Sequence, residues 1–123
     1  MSALKTFRFE PLSKEQIKDY CQASGDWNKI HWDEEFAKAA GLPGIIGHGM
    51  LSMGLAARAL AEWGYETSNL MSLESKFKDK ALPGDQLECH LVAERGNQLD
   101  LEMVAVSDGR QILTATAMLK NCS

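Results

Sequence analysis

Two residues whose side chains move protons lie five positions apart near the N-terminus: Asp26 and His31, in the run Ser-Gly-Asp-Trp-Asn-Lys-Ile-His. A carboxylate and an imidazole that reach the same water can take a proton from it and return a proton to another atom, which is general acid–base catalysis. On a regular helix, residues five apart point in different directions. A turn must therefore bring the two side chains together, and Gly25 and Asn28 are residues typical of turns.

A second candidate feature is the step Gly47-His48-Gly49-Met50, which precedes a long apolar segment. Gly49 is expected to begin a helix, where the first N–H groups have no partner inside the helix and the helix dipole is positive. Because Gly49 has no side chain, a substrate carbonyl could approach its N–H. Such a donor, aimed at a developing oxyanion, is worth roughly 3–4 kcal/mol in enzymes where it has been removed.

Together these segments resemble the signature of the MaoC-like, (R)-specific enoyl-CoA hydratase family, also called hydratase 2. The similarity extends through most of the chain, over residues 24–31, 33–37, 47–51 and 82–85. The resemblance implies an α+β protein with the hot-dog fold, in which an antiparallel sheet wraps around a long central helix. It implies one such domain over residues 1–123.

The resemblance also implies an activity. Asp26 and His31 would hold and activate a water, and the N–H of Gly49 would stabilise the enolate oxygen. The reaction would be hydration of a 2-enoyl thioester, or dehydration of an (R)-3-hydroxyacyl thioester, on coenzyme A or an acyl-carrier protein. No metal or redox cofactor is expected. The residues expected to contact the substrate are Trp27, Asn28, His48 and Met50. A homodimer is expected, with the acyl pocket at its interface.

Lys29 departs from the family pattern, which has proline at this position. Proline would stiffen the turn between Asp26 and His31, so lysine is expected to loosen it. The substitution removes neither proton carrier, and a charge here at the pocket mouth would suit an unusual substrate.

Other readings of the same residues stay open. Asp26 alone could simply cap the backbone that follows it, and a metal site could be built from Asp26, His31, Asp33 and His48. A hot-dog thioesterase, a non-catalytic acyl-binding subunit of a heterodimeric dehydratase and a non-enzymatic binding domain are the alternative functions. His90 is expected on the solvent face of a strand.

The composition narrows the class of protein. The 123 residues include 13 basic and 17 acidic side chains, for a net charge of −4, which argues against broad binding to nucleic acid or an anionic membrane. The N-terminal residues lack the apolar core of a secretory signal, and a cytoplasmic location is expected. The three cysteines are too widely spaced to suggest a disulfide framework or a zinc site: Cys21, Cys89 and Cys122.

The helical signals lie in the first half. Ser13 and Gln16 have the spacing of a capping box for a helix from about Lys14 to Ala23, and Asp33 is a plausible N-cap for a second helix through Ala40. The long apolar helix is expected over residues 49–63, buried on nearly all sides. Its small-residue face is expected to pack in the core: Gly54, Ala57 and Ala61.

Alternating apolar and polar residues predict strands near residues 4–9, 73–77, 87–94 and 99–106, and a further strand is expected over residues 111–119. The last of these is apolar on both faces, which predicts an interior strand. Lys76, Lys78 and Lys80 are expected on one strand face, where they would either contact phosphates of the substrate carrier or form a solvated edge.

Overall fold

Each of the five predicted strand segments forms a strand. The computed structural model describes residues 3–120. Its strands are β1 (Lys5–Arg8), β2 (Leu70–Phe77), β3 (Leu87–Arg95), β4 (Gln98–Ala105) and β5 (Gln111–Leu119). They form one sheet in the order β1-β3-β4-β5-β2, and all neighbours are antiparallel. The interior position predicted for β5 is confirmed, since β4 and β2 flank it.

The helices begin at the residues that the capping signals indicate. They are α1 (Lys14–Ser24), α2 (Glu34–Ala39) and α3 (Gly49–Glu62), with short 3₁₀ helices at Lys29–His31 and Thr67–Asn69. Ser13 Oγ accepts the N–H of Gln16, and the Asp33 carboxylate accepts that of Phe36. These caps satisfy N–H groups that have no partner inside the helix.

The core lies between α3 and one face of the sheet. The buried positions of α3 are Leu55, Ala56, Ala59 and Leu60, together with Ser52. They pack against buried side chains of the strands, among them Leu87, Leu99, Met103 and Leu113. An antiparallel sheet around one long helix is the hot-dog arrangement, so the predicted fold class is confirmed.

The prediction that the small-residue face of α3 packs in the core is wrong. Gly54 and Ala61 are exposed and Ala57 is half-buried, and a Cβ built on Gly54 would meet no atom within 4 Å. Met50 is also exposed, at 58 %. The helix is apolar nearly all round, but the sheet covers only one of its sides, so complete burial of α3 within this chain is likewise wrong.

The prediction that Lys76, Lys78 and Lys80 lie on one strand face is also wrong. β2 ends at Phe77, and the N–H groups of Lys78 and Asp79 both point to the carbonyl of Ile112. Two successive residues that share one acceptor break the alternation of the strand. Of the three lysines only Lys76 lies on β2.

Cys21 and Cys89 are free thiols in the interior, and Cys122 lies outside the described residues. No helix within residues 3–120 has the length and apolar character to cross a bilayer.

Candidate active site

A chain of short-range hydrogen bonds forms the turn that carries Asp26. Ser24 Oγ accepts the N–H of Asp26 at 3.1 Å, the Asp26 carboxylate accepts the N–H of Asn28 at 3.2 Å, and Asn28 Oδ1 accepts the N–H of Ile30 at 3.2 Å. Each polar side chain thus fixes the backbone two residues further on. The last bond caps the 3₁₀ helix Lys29–His31. The turn predicted between the two proton carriers is confirmed, with Lys29 inside a well-formed helical turn.

His31 is buried, with 7 % of its surface exposed. Its Nδ1 lies 2.8 Å from the carbonyl oxygen of Ile46. Because a carbonyl can only accept, Nδ1 carries the hydrogen, and Nε2 of the neutral ring is left as the basic nitrogen. In the opposite direction, the N–H of Ile46 donates to the carbonyl of Ile30 at 3.0 Å. These two bonds join the turn of His31 to the segment that leads into α3.

His48 lies directly against His31. The two imidazole rings stack with centroids 3.6 Å apart and planes 20° from parallel. Nε2 of His48 is 3.2 Å from the backbone carbonyl of Asp26 and 3.6 Å from Sγ of Cys21, and the ring of Tyr20 packs 4.7 Å away. Burial lowers the pKa of His48 below its ordinary value, although the hydrogen bond to Asp26 opposes the shift.

Asp26, His31 and His48 each offer an atom of the metal-ligand type, and these atoms all lie within 4.8 Å of one another. Two nearly parallel rings in face-to-face contact do not direct their nitrogen lone pairs at one common point, because each lone pair lies in its own ring plane. Asp33, the fourth member of the alternative metal site, caps α2 instead. The two stacked imidazole rings therefore do not direct their nitrogens at one metal position.

Gly49 is the first residue of α3, immediately after His48. The N–H of Gly47 donates to the carbonyl of Ala81 at 2.8 Å, which anchors the segment just before the helix. A Cβ at position 49 would lie 3.2 Å from two ring carbons of Phe77. Glycine therefore lets the ring of Phe77 pack closely against the start of α3, and the first helical N–H needs a partner from outside the helix.

A network of ion pairs centred on Arg110, the Arg110 network, holds the loop that carries Ala81. The guanidinium of Arg110 donates to the carboxylates of Asp85 and Asp108 and to the carbonyl of Lys80. The Asp85 carboxylate also accepts the N–H of Leu82 at 2.8 Å. The strand ends that carry Arg110 and Asp85 thereby fix the loop against which the segment before Gly49 is bonded.

The four predicted substrate contacts fall into two groups. Trp27 and Met50 are exposed, at 48 % and 58 %, and are free to meet a ligand. The side chain of Asn28 is bonded to the backbone of Ile30, and His48 is buried. Substrate binding by any of the four stays a prediction.

Sequence reasoning missed Ser52. It lies one turn into α3, and it is buried with 3 % exposure. Within residues 3–120, His31, His48 and Ser52 are the buried polar residues. A lone hydroxyl in an apolar helix, one turn after the Gly49 step, was the available signal. The contacts of Tyr20 and Cys21 with His48 had no signal in the sequence.

The fold and the site together define a hot-dog protein in which a carboxylate and two stacked imidazole rings lie next to the start of the central helix. A family model described as "MaoC like domain" matches residues 3–115, and the chain belongs to this family. Its relatives are named as hydratases and dehydratases, so the family is one of enzymes.

Three similar proteins illustrate the family. The fatty acid synthase subunit beta of Aspergillus oryzae is 36% identical over 101 residues, which are 80% of this chain and 4% of that protein. A probable enoyl-CoA hydratase 2 of Dictyostelium discoideum is 28% identical over 108 residues, 86% of this chain and 37% of that protein. The crystal structure of a MaoC-like dehydratase from Phytophthora capsici superposes with a TM-score of 0.89 at 26% identity, over 99% of this chain and 42% of that one. The chain spans less than half the length of each of these relatives.

Proposed function

We propose that the protein adds water to the double bond of 2-enoyl thioesters, giving (R)-3-hydroxyacyl thioesters, and catalyses the reverse dehydration. The acyl group would be carried by coenzyme A or an acyl-carrier protein. The proposal goes beyond the family assignment in naming the substrate, the configuration of the product and the residues that act.

The observation that carries the proposal is the convergence of Asp26, His31 and the start of α3. In the hydration direction, the Asp26–His31 pair takes a proton from water as the water oxygen bonds to C3. The pair then returns a proton to C2. Nε2 of His31 suits this exchange, because the bond from Nδ1 to Ile46 leaves it unprotonated in the neutral ring.

Negative charge that develops on the thioester oxygen needs a donor. Support for the N–H of Gly49 in this role comes from its position at the positive end of α3 and from its location next to His48, whose ring stacks on His31. The missing Cβ keeps side-chain atoms away from this N–H, where a Cβ would instead press on the Phe77 ring.

The test is an assay of the purified protein with 2-enoyl-CoAs of graded chain length, following the loss of the conjugated-enoyl absorbance. Wild-type protein should consume the enoyl group, and chiral chromatography should show the R product. Asp26→Asn and His31→Gln should each lower kcat by at least about 10²-fold. His90→Gln is the matched control, since His90 pairs with Glu88 on β3.

The outcomes separate the alternatives. Release of free thiol without loss of enoyl absorbance would identify a thioesterase. Binding without turnover until a second chain is added would identify an acyl-binding subunit. Equal rates in wild type and in Asp26→Asn would contradict the mechanism.

The proposed assembly is a homodimer that forms along β2. This strand lies at an edge of the sheet, and its side chains Met71 and Phe77 are 68 % and 52 % exposed. Met50 of α3 is exposed as well. An apolar edge strand invites a partner strand. Pairing of two β2 strands would cover this edge.

Sedimentation of wild type and of the double variant Met71→Lys/Phe77→Lys tests the dimer. The wild type should sediment as a dimer and the double variant as a monomer. Val92→Lys, which alters an exposed apolar residue of β3, is the control and should leave the dimer intact. A fully active wild-type monomer would contradict both the dimer and an acyl pocket at its interface. The cytoplasmic location stays a prediction.

A further inference from the structure

We propose that His48 is a positioning residue that holds both proton carriers, Asp26 and His31, in their reactive arrangement. The inference rests on the proposed function, because it assigns a role within that site. It differs from the role that the sequence suggested for His48, which was contact with the substrate.

The first contact is through the face of the ring. His48 stacks on His31 at 3.6 Å, while Ile46 holds the edge of His31 through its carbonyl. One contact fixes the plane of the His31 ring and the other fixes its rotation within that plane. Ile46 and His48 both belong to the short segment before α3, so one stretch of backbone supplies both contacts that hold the His31 ring.

The second contact is through Nε2 of His48, which faces the backbone carbonyl of Asp26 at 3.2 Å. The carbonyl can only accept, so Nε2 carries the hydrogen. This bond ties the turn of Asp26 to the residue that immediately precedes α3. His48 therefore touches one proton carrier with its face and the other with its edge, and its own chain continues into Gly49.

The surroundings of His48 argue against a contact with substrate. The side chain is 3 % exposed; its Nε2 is engaged, and its Nδ1 is buried without a hydrogen-bond partner within the described residues. The groups around the ring are Tyr20 and Cys21 of α1, Asp26 and His31. Burial favours the neutral form of His48, and a neutral ring does not repel a proton that arrives on His31.

Two variants separate the two contacts. His48→Phe keeps a flat ring against His31 but has no donor for Asp26, and His48→Gln keeps a donor but has no ring. Both preserve most of the buried volume, so both should fold. We expect each to lower kcat about 10–100-fold, since small misplacements of reacting groups have effects of this size. KM should change by less than about threefold, because no ground-state contact is lost. The control His90→Gln should leave both constants unchanged.

A second readout needs no substrate. Nitrogen NMR of labelled histidine distinguishes the two neutral tautomers, and wild-type His31 should show the form protonated at Nδ1. In His48→Phe and His48→Gln the His31 signals should move towards the mixture of tautomers found in a free imidazole. This measurement keeps the inference testable if the wild type proves inactive on enoyl thioesters, an outcome that would overturn the proposed function alone.

Several results would overturn the positioning role. Wild-type kcat in both variants would do so. A loss confined to KM would identify His48 as a substrate contact instead. Unchanged His31 tautomer signals in both variants would show that Ile46 alone fixes the ring.

Discussion

Gly49 faces Phe77 so closely that a Cβ at position 49 would lie 3.2 Å from two carbons of the aromatic ring. Phe77 ends β2 and is 52 % exposed, so its ring can turn aside by the few tenths of an ångström that an alanine would require. The close approach therefore constrains access to the start of α3 more than it constrains folding.

The Gly49→Ala variant should distinguish an effect on access to the start of α3 from an effect on folding. Unfolding in urea should show a change of less than about 1 kcal/mol, because alanine favours the helix while the ring yields. The kcat/KM for enoyl thioester should fall at least about tenfold, since the methyl group obstructs a donor whose complete removal costs about 10²–10³-fold elsewhere. Gly54→Ala is the control on the same helix, with open space around its Cβ. It should be active and slightly more stable, and equal losses in both variants would contradict a role of Gly49 in the site.

Lys29→Pro should be tolerated and should stabilise the fold. Lys29 is the first residue of its 3₁₀ helix, and Asn28 has φ −55° and ψ 130°, which is the conformation that a residue before proline prefers. We expect the free energy of unfolding to rise by about 0.4–1 kcal/mol through reduced freedom of the unfolded chain. Urea denaturation measures this, and the kcat should stay at the wild-type value.

The control for the proline is Lys29→Ala, which removes the ammonium group that lies 5.7 Å from the centroid of the Phe36 ring without fixing φ. A destabilised Lys29→Pro, or a loss of kcat, would show that the turn needs the freedom of a non-proline residue.

The buried His48 should make stability depend on pH near neutrality. Its pKa is lowered in the folded protein, mainly by burial, so below the ordinary value of about 6.5 the unfolded chain binds a proton that the folded chain resists. The stability that depends on neutral His48 is fully present above that pH and is lost as the pH falls below it. The free energy of unfolding in urea should therefore decrease from about pH 7.5 to about pH 5.5.

The same measurement on His48→Phe should give a flatter profile, while His90→Gln should keep the decrease. Glu34, Glu88 and Asp108 have lowered pKa values and contribute only near and below their ordinary acidic range, outside this window. Identical profiles for wild type and His48→Phe would contradict the assignment.

Arg110→Gln is expected to destabilise the protein by about 2–3 kcal/mol, the range for hydrogen bonds to charged groups. It would leave Asp79, Asp85 and Asp108 facing one another without the guanidinium, whose side chain is only 22% exposed. Arg8→Gln removes a more exposed arginine, paired with Glu88 at 2.8 Å, and should change stability by less than about 1 kcal/mol. The midpoints of urea unfolding compare the stabilities of the two variants. Equal losses would show that the Arg110 network contributes no more than an ordinary surface ion pair.

Local signals predicted most of the fold. Ser13 and Asp33 cap helices because their oxygens reach N–H groups three residues along the chain, and the bonds of Asp26 and Asn28 span only two residues. Each of these hydrogen bonds joins residues only two or three positions apart, so local sequence is enough to predict it. Most of the strands could likewise be predicted from their period of two.

Contacts between residues that are far apart in the sequence could not be predicted from local patterns. The stacking of His48 on His31 joins residues 17 positions apart in the sequence, and it depends on how the sheet and α3 bring two loops together. The uncovered side of α3 was mistaken for core because small apolar residues suit a buried interior and a partner surface alike. Only the packed structure distinguishes these cases.

Among residues 3–120, the buried residues of polar type are His31, His48 and Ser52, which has a consequence for how this protein can change. The other buried side chains of this part of the chain are hydrocarbons, the two thiols of Cys21 and Cys89 and the thioether of Met103, and interiors of this kind accept volume-conserving exchanges among aliphatic residues with little loss of stability. Exchanges among these aliphatic positions should therefore leave the imidazole pair intact. The packing of the core and the chemistry of the two imidazole rings are thus separately variable features of this chain.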